Sequence, residues 1–149
     1  MSRSSPDEIR FTVPGEPVGK GRPRASSING MTRMYTPKKT SDEEERIASI
    51  AKAAMTGMQP IAWPVSVSIQ IRHGIRKSWT KIKQENARLN KIVPTIKSDM
   101  DNVIKLYFDA LNGIAWIDDV QVVNVIASKR FAELPCVQMR IIPLDIGSA

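Results

Sequence analysis

Alternating hydrophobic and polar residues predict four β-strands in this chain. In "VSVSIQIR", residues 65–72, Val and Ile occupy every second position and polar residues stand between them. This strand is expected to pair antiparallel and to have one face covered by a helix. The four predicted strand segments are 9–13, 65–72, 120–129 and 136–142.

Two longer segments repeat apolar residues at helical spacing instead. Residues 40–58 do so, and Ser41 with Glu44 fits a capping box at the start of this helix. Residues 102–112 do so up to Gly113, a residue type that commonly ends helices. These two segments are therefore predicted to be the main helices of the protein.

The remaining segments favour loops. Residues 14–30 are rich in Gly and Pro, and residues 74–97 are basic and polar without a sustained period. We predict a basic mobile loop over 74–97, with room for a short helical piece near "KIKQENARLN". With 149 residues, the chain is expected to form one domain over 9–145 after a flexible leader, residues 1–8. The predicted fold class is α/β (α+β), a small mixed sheet of about four strands with two main helices.

The amino-acid composition limits the cellular compartments in which the protein is expected. The single cysteine, Cys136, permits no disulfide within one chain, which fits a reducing cytoplasm. The first ten residues have no apolar core and are not expected to act as a signal peptide. No apolar run approaches the ~18–20 residues of a membrane span, so no membrane partner is expected.

Charge is distributed unevenly along the chain, whose formal net charge is +7. Residues 20–39 carry six basic residues and no acid, and residues 72–97 carry eight against Glu85 alone. Residues 99–119 reverse the sign, with five aspartates against one lysine. Basic segments around an acidic centre suit a polyanion held near a cation, and nucleic acid is the favoured partner. The alternative is a solvated basic surface with no partner.

The acidic centre begins with "SDMDNVIK", residues 98–105. Asp99 and Asp101 project to the same side if the segment before the helix is extended. The helix over 102–112 spans about 16 Å at ~1.5 Å per residue. An extended return beyond Gly113 would retrace roughly that length at ~3.3 Å per residue. The return would bring one residue of the Asp118–Asp119 pair level with the first two aspartates.

Gathered carboxylates repel one another unless protons, basic groups or a divalent cation neutralise them. Their hard oxygen atoms favour Mg²⁺ or Mn²⁺. Zinc is disfavoured because His73 is the only histidine and Cys136 the only cysteine, and a Cys–His nucleophile pair is disfavoured for the same reason. His73, at a strand end, is expected at the surface or in a loop. Helix capping remains the alternative role for the aspartates, since aspartate is favoured at the start of helices.

Lys105 has two candidate roles. It stands four residues after Asp101, a spacing that allows an ion pair worth only tenths of a kcal/mol. As a functional group, it would be a cation beside a scissile phosphate that stabilises charge in the transition state.

The run "SDMDNVIKLYFDALNGIAWIDDVQVV" resembles the RusA family of Holliday junction resolvases, which are often carried by phages and prophages. The matching pattern is Asp-x-Asp-Asn, a lysine one turn later, Asp-Ala-Leu-Asn-Gly, and Asp-Asp with Gln two residues beyond. "PVGKGRPR" and "YTPKKT" upstream are also similar to members of this family, so the resemblance spans about residues 11–143. Ser98 is a departure, because many members have proline there.

The resemblance implies a RusA-like endonuclease that cuts four-way DNA junctions as a homodimer with Mg²⁺ or Mn²⁺. It would act in recombination and repair in the cytoplasm of a bacterial or phage-infected cell, without a nucleotide cofactor. Matched by position, the metal ligands are Asp99, Asp101 and Asp119, and Lys105 matches the essential lysine. These four residues form the predicted catalytic set, with Asp118 as a possible additional member.

Basic residues outside this set are expected to contact DNA phosphates, which fixes position without reading sequence. Trp79 is expected to stack on an exposed base. The predicted phosphate contacts are Lys20, Arg22, Arg24, Arg76, Lys77, Lys81 and Lys83. Two other functions remain open at this point: a non-catalytic DNA-binding module, and a metal-dependent nuclease for other branched substrates.

Overall fold

The computed structural model describes residues 7–21, 24–28, 30–35 and 37–145, so residues 1–6 of the predicted leader lie outside the described residues. The strands are β1 (Ile9–Pro14), β2 (Arg24–Ile28), β3 (Met31–Tyr35), β4 (Val65–Gly74), β5 (Val122–Ala132) and β6 (Cys136–Pro143). The α-helices of the described part are α1 (Lys38–Met55), α2 (Lys81–Arg88) and α3 (Met100–Leu111), and a 3₁₀ turn covers Asp119–Gln121.

Four strands form a mixed sheet in the order β1-β6-β4-β5. β6 pairs antiparallel with both β1 and β4, whereas β4 and β5 run parallel. The expectation that β4 pairs antiparallel therefore holds toward β6 only. The predicted α+β class and the mixed four-stranded sheet are confirmed.

The core lies between one face of this sheet and the helices α1 and α3. Residues at alternate positions of β4, from Val65 to Ile71, are fully buried, as their period of two predicts. Helix α1 contributes Ile47 and Ala51 to the same cluster, and α3 contributes Leu106. Burying one face of each element in this way packs α3, at whose start Asp99 and Asp101 stand, into the shared core.

Two elements lie in or next to segments that were predicted to be mainly loop. Strands β2 and β3 form a separate two-stranded hairpin that was not predicted; β2 lies within the predicted loop 14–30, and β3 follows it. Helix α2 is the short helical piece predicted near "KIKQENARLN", and the Thr80 hydroxyl caps it by accepting from the Lys83 amide at 3.2 Å. Ala87 is the buried residue of α2, and the hairpin side chains that the structure describes are exposed, so neither element leaves a strong hydrophobic period in the sequence.

The predicted capping box at Ser41 and Glu44 is wrong. Helix α1 begins earlier, at Lys38, and the Pro37 carbonyl accepts the amides of Thr40 and Ser41. Pro37 occupies the capping position without a side-chain hydrogen bond, because the chain already turns into the helix there.

The expectation that His73 lies at the surface is also wrong. Its side chain is 2% exposed at the end of β4, where it continues the inward alternation of that strand. His73 Nδ1 lies 3.3 Å from a Glu16 carboxylate oxygen, and in the described part of the chain its Nε2 has no hydrogen-bond partner. Burial lowers the pKa of His73 below its ordinary value of 6.5, although Glu16 opposes the shift.

Candidate active site

The start of α3 presents two exposed carboxylates. Asp99 is the N-cap residue, and its backbone carbonyl accepts the Val103 amide at 3.1 Å. Its side chain makes no capping hydrogen bond. Asp101 follows in the first helical turn and is also exposed. Among the residues that the structure describes, neither carboxylate is taken up by a capping hydrogen bond, so both can bind a ligand in a region where the helix dipole favours anions.

The segment that leads into α3 lies beside β5. The Lys129 ammonium group donates to the carbonyls of Ile96 at 2.8 Å and Ser98 at 3.0 Å. Lys129 pairs with Ile71 across the sheet, whereas Val122 at the start of β5 pairs with Val65. Seven residues of strand, about 23 Å at ~3.3 Å per residue, thus separate this end of β5 from its start.

Asp118 and Asp119 precede the start of β5 rather than its Lys129 end. The Gln121 side chain accepts from the amides of Ile117 at 2.9 Å and Asp118 at 3.0 Å. It also donates to the carbonyls of Ile61 at 2.7 Å and Trp63 at 2.9 Å. The Gln that follows the acidic pair thus fixes the backbone around it to the segment before β4.

The extended return expected after Gly113 is not what the chain does. Gly113 has a φ of 75° and donates its amide to the Trp116 carbonyl at 2.8 Å, which closes a tight turn at the end of α3. The Trp116 indole donates to the Asn112 side chain at 2.8 Å and keeps the turn packed against the helix. A turn does not retrace the helix, so the length comparison made from the sequence does not apply.

Within residues 7–21, 24–28, 30–35 and 37–145, no three His, Cys, Asp or Glu side chains lie together so that they could hold a metal ion. Asp99 and Asp101 do offer hard oxygen donors of the type that Mg²⁺ and Mn²⁺ prefer. One chain therefore has ligands of the right chemistry but does not gather the predicted set of three. The assignment of Asp99, Asp101 and Asp119 as ligands stays a prediction.

Lys105 extends from the exposed side of α3 and pairs with Asp109, at 3.3 Å, rather than with Asp101. Asp109 also binds the Lys20 ammonium group, which in turn reaches Glu44 on α1 at 3.1 Å. Burial alone would raise the pKa of Asp109, but the hydrogen bonds from the two lysines outweigh it and hold the pKa below its usual value. Lys20 thus joins α1 and α3, a role that the sequence analysis missed.

The predicted DNA contacts form a first group in the segment after β1, a second group around α2, and Trp79. Lys20 is engaged by two carboxylates, Arg22 lies outside the described residues, and the backbone of Arg24 is in β2 while its side chain is not described. The second group is exposed around α2 and has no carboxylate partner among the described residues: Arg76, Lys77, Lys81 and Lys83. Trp79 is half-buried, with its ring 5.1 Å from that of Phe131 and the Lys83 ammonium group 4.2 Å from its centroid.

Lys129 was not singled out from the sequence, although a signal for it existed. Val123, Val125, Ala127 and Lys129 occupy alternate positions of β5, so a charge stands where the pattern calls for an apolar residue. A charged residue on the inward side of a strand needs polar partners, and the carbonyls before α3 supply them.

Exposed carboxylates at a helix start, a lysine one turn later and uncompensated basic groups nearby are typical of a cation-assisted enzyme acting on a polyanion. The family model described as "Endodeoxyribonuclease RusA" matches residues 14–142. The chain therefore belongs to the RusA family of endodeoxyribonucleases, the Holliday junction resolvases that its motif resembles.

A protein of Bacillus subtilis (strain 168), described as "Uncharacterized protein YqaN", is 38% identical to this chain over 142 residues. The alignment covers 91% of this chain and 96% of YqaN. The similarity thus extends through the whole domain rather than through the acidic motif alone. None of the helices in the described ranges is both long and apolar enough to cross a membrane.

Proposed function

We propose that this protein is a structure-selective endonuclease that resolves four-way DNA junctions by metal-dependent hydrolysis of phosphodiester bonds. The observation that carries the proposal is the pair Asp99 and Asp101, which are exposed at the start of α3 and whose side chains have no hydrogen-bond or ion-pair partner in the described part of the chain. The chain belongs to the RusA family, and the pair matches the Asp-x-Asp of the sequence pattern by which the chain resembles that family.

Asp99, Asp101 and Asp119 would hold Mg²⁺ or Mn²⁺, with Asp118 as a possible additional ligand. Such a cation, when bound, activates water and neutralises charge on the phosphate. Lys105 would stabilise negative charge that develops on the phosphate during cleavage. Its ion pair with Asp109 is exposed on the lysine side, and exposed pairs contribute only about 0–1 kcal/mol, so a phosphate can compete for the ammonium group.

The third ligand would come from a second copy of the chain. β5 is an edge strand of the four-stranded sheet, and edge strands expose hydrogen-bonding groups that another strand can use. The beginning of this edge and the segment before it are also apolar and exposed. The exposed residues are Ile117, Val120, Val123, Val125 and Ile126. An exposed apolar stripe along a free edge suits a two-fold dimer, in which the same patch serves both subunits.

Charge supports one arrangement of this dimer. Asp119 and Lys129 each lie five residues from Asn124, and Asp118 and Arg130 each lie six residues from it. Antiparallel pairing of two β5 edges about Asn124 would align Val122 of one copy with Ile126 of the other and would bring the turn that carries Asp118 and Asp119 toward Lys129 and Arg130 of the other copy. Because Lys129 contacts the segment before Asp99, the other copy's Asp119 would approach the start of α3 and complete the cation site.

DNA would reach this site along the basic surface around α2. Arg76, Lys77, Lys81 and Lys83 would contact backbone phosphates, and a dimer would present two such surfaces to the arms of one junction. Trp79 would support Lys83 through the contact between its ring and the ammonium group, and its exposed part remains a candidate for base stacking.

The proposal is tested by cleavage of a mobile four-way junction with Mg²⁺ or Mn²⁺. Wild type is expected to nick opposing strands, whereas Asp101→Asn and Lys105→Ala should reduce cleavage by at least about a hundredfold. Asp42→Asn, which changes an exposed acid on α1, is the matched control and should cleave like wild type.

Three other outcomes distinguish the alternative functions. Wild type that binds junctions but never nicks them with either metal would indicate a non-catalytic DNA-binding module. Similar rates on junctions and on flaps would indicate a nuclease for other branched substrates. Full activity of Asp101→Asn would contradict the proposed site.

A further inference from the structure

The backbone that carries Asp99 and Asp101 is held from two sides. On one side, the loop after β1 donates the Gly19 amide to the Ser98 hydroxyl at 2.9 Å and the Lys20 amide to the Asn102 carbonyl at 3.0 Å. These two acceptors flank the aspartate pair in sequence. Each hydrogen bond therefore fixes one end of the segment in which both carboxylates stand.

The contact with Ser98 is close because position 19 is glycine. A Cβ atom added to Gly19 would lie 2.8 Å from the Ser98 Cβ and 3.2 Å from the Asn102 Cβ, shorter than a normal contact between carbon atoms. Only a residue without a side chain lets the loop approach α3 so closely. The hydroxyl of Ser98 then satisfies an amide that is partly buried by the approach.

The loop itself is anchored at both of its ends. At the first end, the Glu16 carboxylate accepts the Gly74 amide at 2.8 Å and lies 3.3 Å from His73 Nδ1. At the second end, the Lys20 ammonium group binds Asp109 on α3 and Glu44 on α1. A loop fixed to the sheet and to two helices can hold Ser98 in one position.

On the other side, the Lys129 ammonium group binds the Ile96 and Ser98 carbonyls, and Ser98 directly precedes Asp99. Lys129 is half-buried, and within the ranges described no carboxylate lies at ion-pair distance from it. Its polar contacts are therefore with the backbone that leads into α3, and such contacts can position the residues that follow.

We propose that Ser98 and Lys129 are positioning residues that hold Asp99 and Asp101 in the orientation in which they bind the cation. The proposal rests on the function proposed above, since it concerns the same site. Neither residue needs to touch the metal or the DNA: Ser98 acts through its hydroxyl on the loop, and Lys129 acts through two carbonyls. Residues that orient metal ligands commonly change metal affinity by about 10–100-fold when they are replaced.

The test is titration of the full-length protein with Mn²⁺, followed by the loss of the electron paramagnetic resonance signal of the free ion. Ser98→Ala removes the acceptor of the Gly19 amide without adding bulk or charge, and it should weaken Mn²⁺ binding about tenfold. Thr80→Ala is the matched control, because the Thr80 hydroxyl also accepts one backbone amide, that of Lys83 at 3.2 Å, but at the start of α2. It should bind Mn²⁺ like wild type.

For Lys129→Met, the direction of the change in Mn²⁺ affinity distinguishes a positioning role from a simple effect of charge. Removing a positive charge near carboxylates should by itself tighten cation binding. If Lys129 acts by positioning, loss of its hydrogen bonds to the two carbonyls should instead weaken Mn²⁺ binding about tenfold or more, and Lys129→Arg should restore part of it. Sedimentation must first show that each variant has the oligomeric state of wild type, so that the change reports on the site.

Two results would overturn the proposal. One is Mn²⁺ affinity equal to or tighter than that of wild type in both Ser98→Ala and Lys129→Met, while wild type binds Mn²⁺ and nicks junctions. The other is a wild-type protein that neither binds Mn²⁺ nor nicks junctions, a result that would overturn the proposed function and this inference with it. A lower denaturation midpoint with unchanged Mn²⁺ affinity counts with the first result, because it shows a purely structural role.

Discussion

Replacing Lys20 by methionine separates a structural role from a role in DNA binding. Lys20 was predicted from its sequence context to contact phosphate, but in the structure its ammonium group lies between Asp109 and Glu44. Methionine keeps most of the length and apolar volume of the side chain and removes the charge. The two carboxylates then lose their shared cation and remain partly buried between α1 and α3.

The expected loss of stability follows from the exposure of these groups. Removing one partner of a fully buried ion pair costs about 3–5 kcal/mol, whereas an exposed pair contributes about 0–1 kcal/mol. The Lys20, Asp109 and Glu44 side chains are 22%, 21% and 27% exposed, so solvent screens them in part. We expect Lys20→Met to lower the free energy of unfolding by about 1–3 kcal/mol, between these limits.

The assay is urea denaturation with linear extrapolation, with Lys81→Met as the matched control at an exposed lysine that should change stability by about 0.5 kcal/mol or less. Asp109→Asn added to Lys20→Met should recover part of the loss, because it removes a carboxylate that then keeps only the exposed Lys105 as its cation. The pKa of Asp109 is lowered, so its contribution is present above its ordinary value of 3.8 and is lost as pH falls through the folded-state pKa. The difference between wild type and Lys20→Met should therefore shrink in acid.

One combination of results would refute this reasoning. If Lys20→Met is as stable as wild type, and its affinity for junction DNA depends less steeply on salt by about one phosphate contact, then Lys20 binds DNA rather than joining the helices.

Three further predictions follow from the same structure. Burial lowers the pKa of His73 below 6.5, so neutral His73 supports the fold above that pH, and this contribution is lost as pH falls toward the folded-state pKa. The free energy of unfolding, measured by urea denaturation, should therefore change less between pH 7 and pH 5 in His73→Gln than in wild type. Gln121→Ala leaves two amides and two carbonyls without their side-chain partner, and should lower the denaturation free energy by about 2–4 kcal/mol, whereas an unchanged value would contradict the role given to it. Lys83→Ala should reduce the slope of log affinity for junction DNA against log salt by about 0.9, whereas Lys52→Ala on α1 should leave it unchanged.

The sheet was predictable because its strands bury one face. The alternation in β4 marked the core positions correctly, and the same alternation extended by one step assigns His73 to the interior. The expectation of a surface position ignored that step, because a polar residue at a strand end was treated as the end of the pattern. Lys129 was overlooked for the same reason on β5.

The arrangement of the acids was less predictable. The sequence contains the motif, but the path between its two halves depends on Gly113 and Trp116, which close a turn through hydrogen bonds that carry no periodic signal. The comparison of a helix length with an extended length assumed a path that this turn prevents. The position of β5 at the sheet edge could not be predicted, because a run of apolar residues in sequence is also typical of a strand buried on both faces. Only the structure shows that apolar residues on both faces of β5 are exposed.

The central claim is that the chain resolves junctions with a cation site that two copies share. Its most direct test is cleavage of a four-way junction by a mixture of two inactive variants, Asp101→Asn and Asp119→Asn, after their subunits have exchanged. In a mixed dimer with shared sites, one site carries both substitutions and the other carries neither, so we predict that the mixture nicks junctions although each variant alone does not. A mixture that contains verified mixed dimers and stays inactive, beside an active wild type, would contradict the shared site.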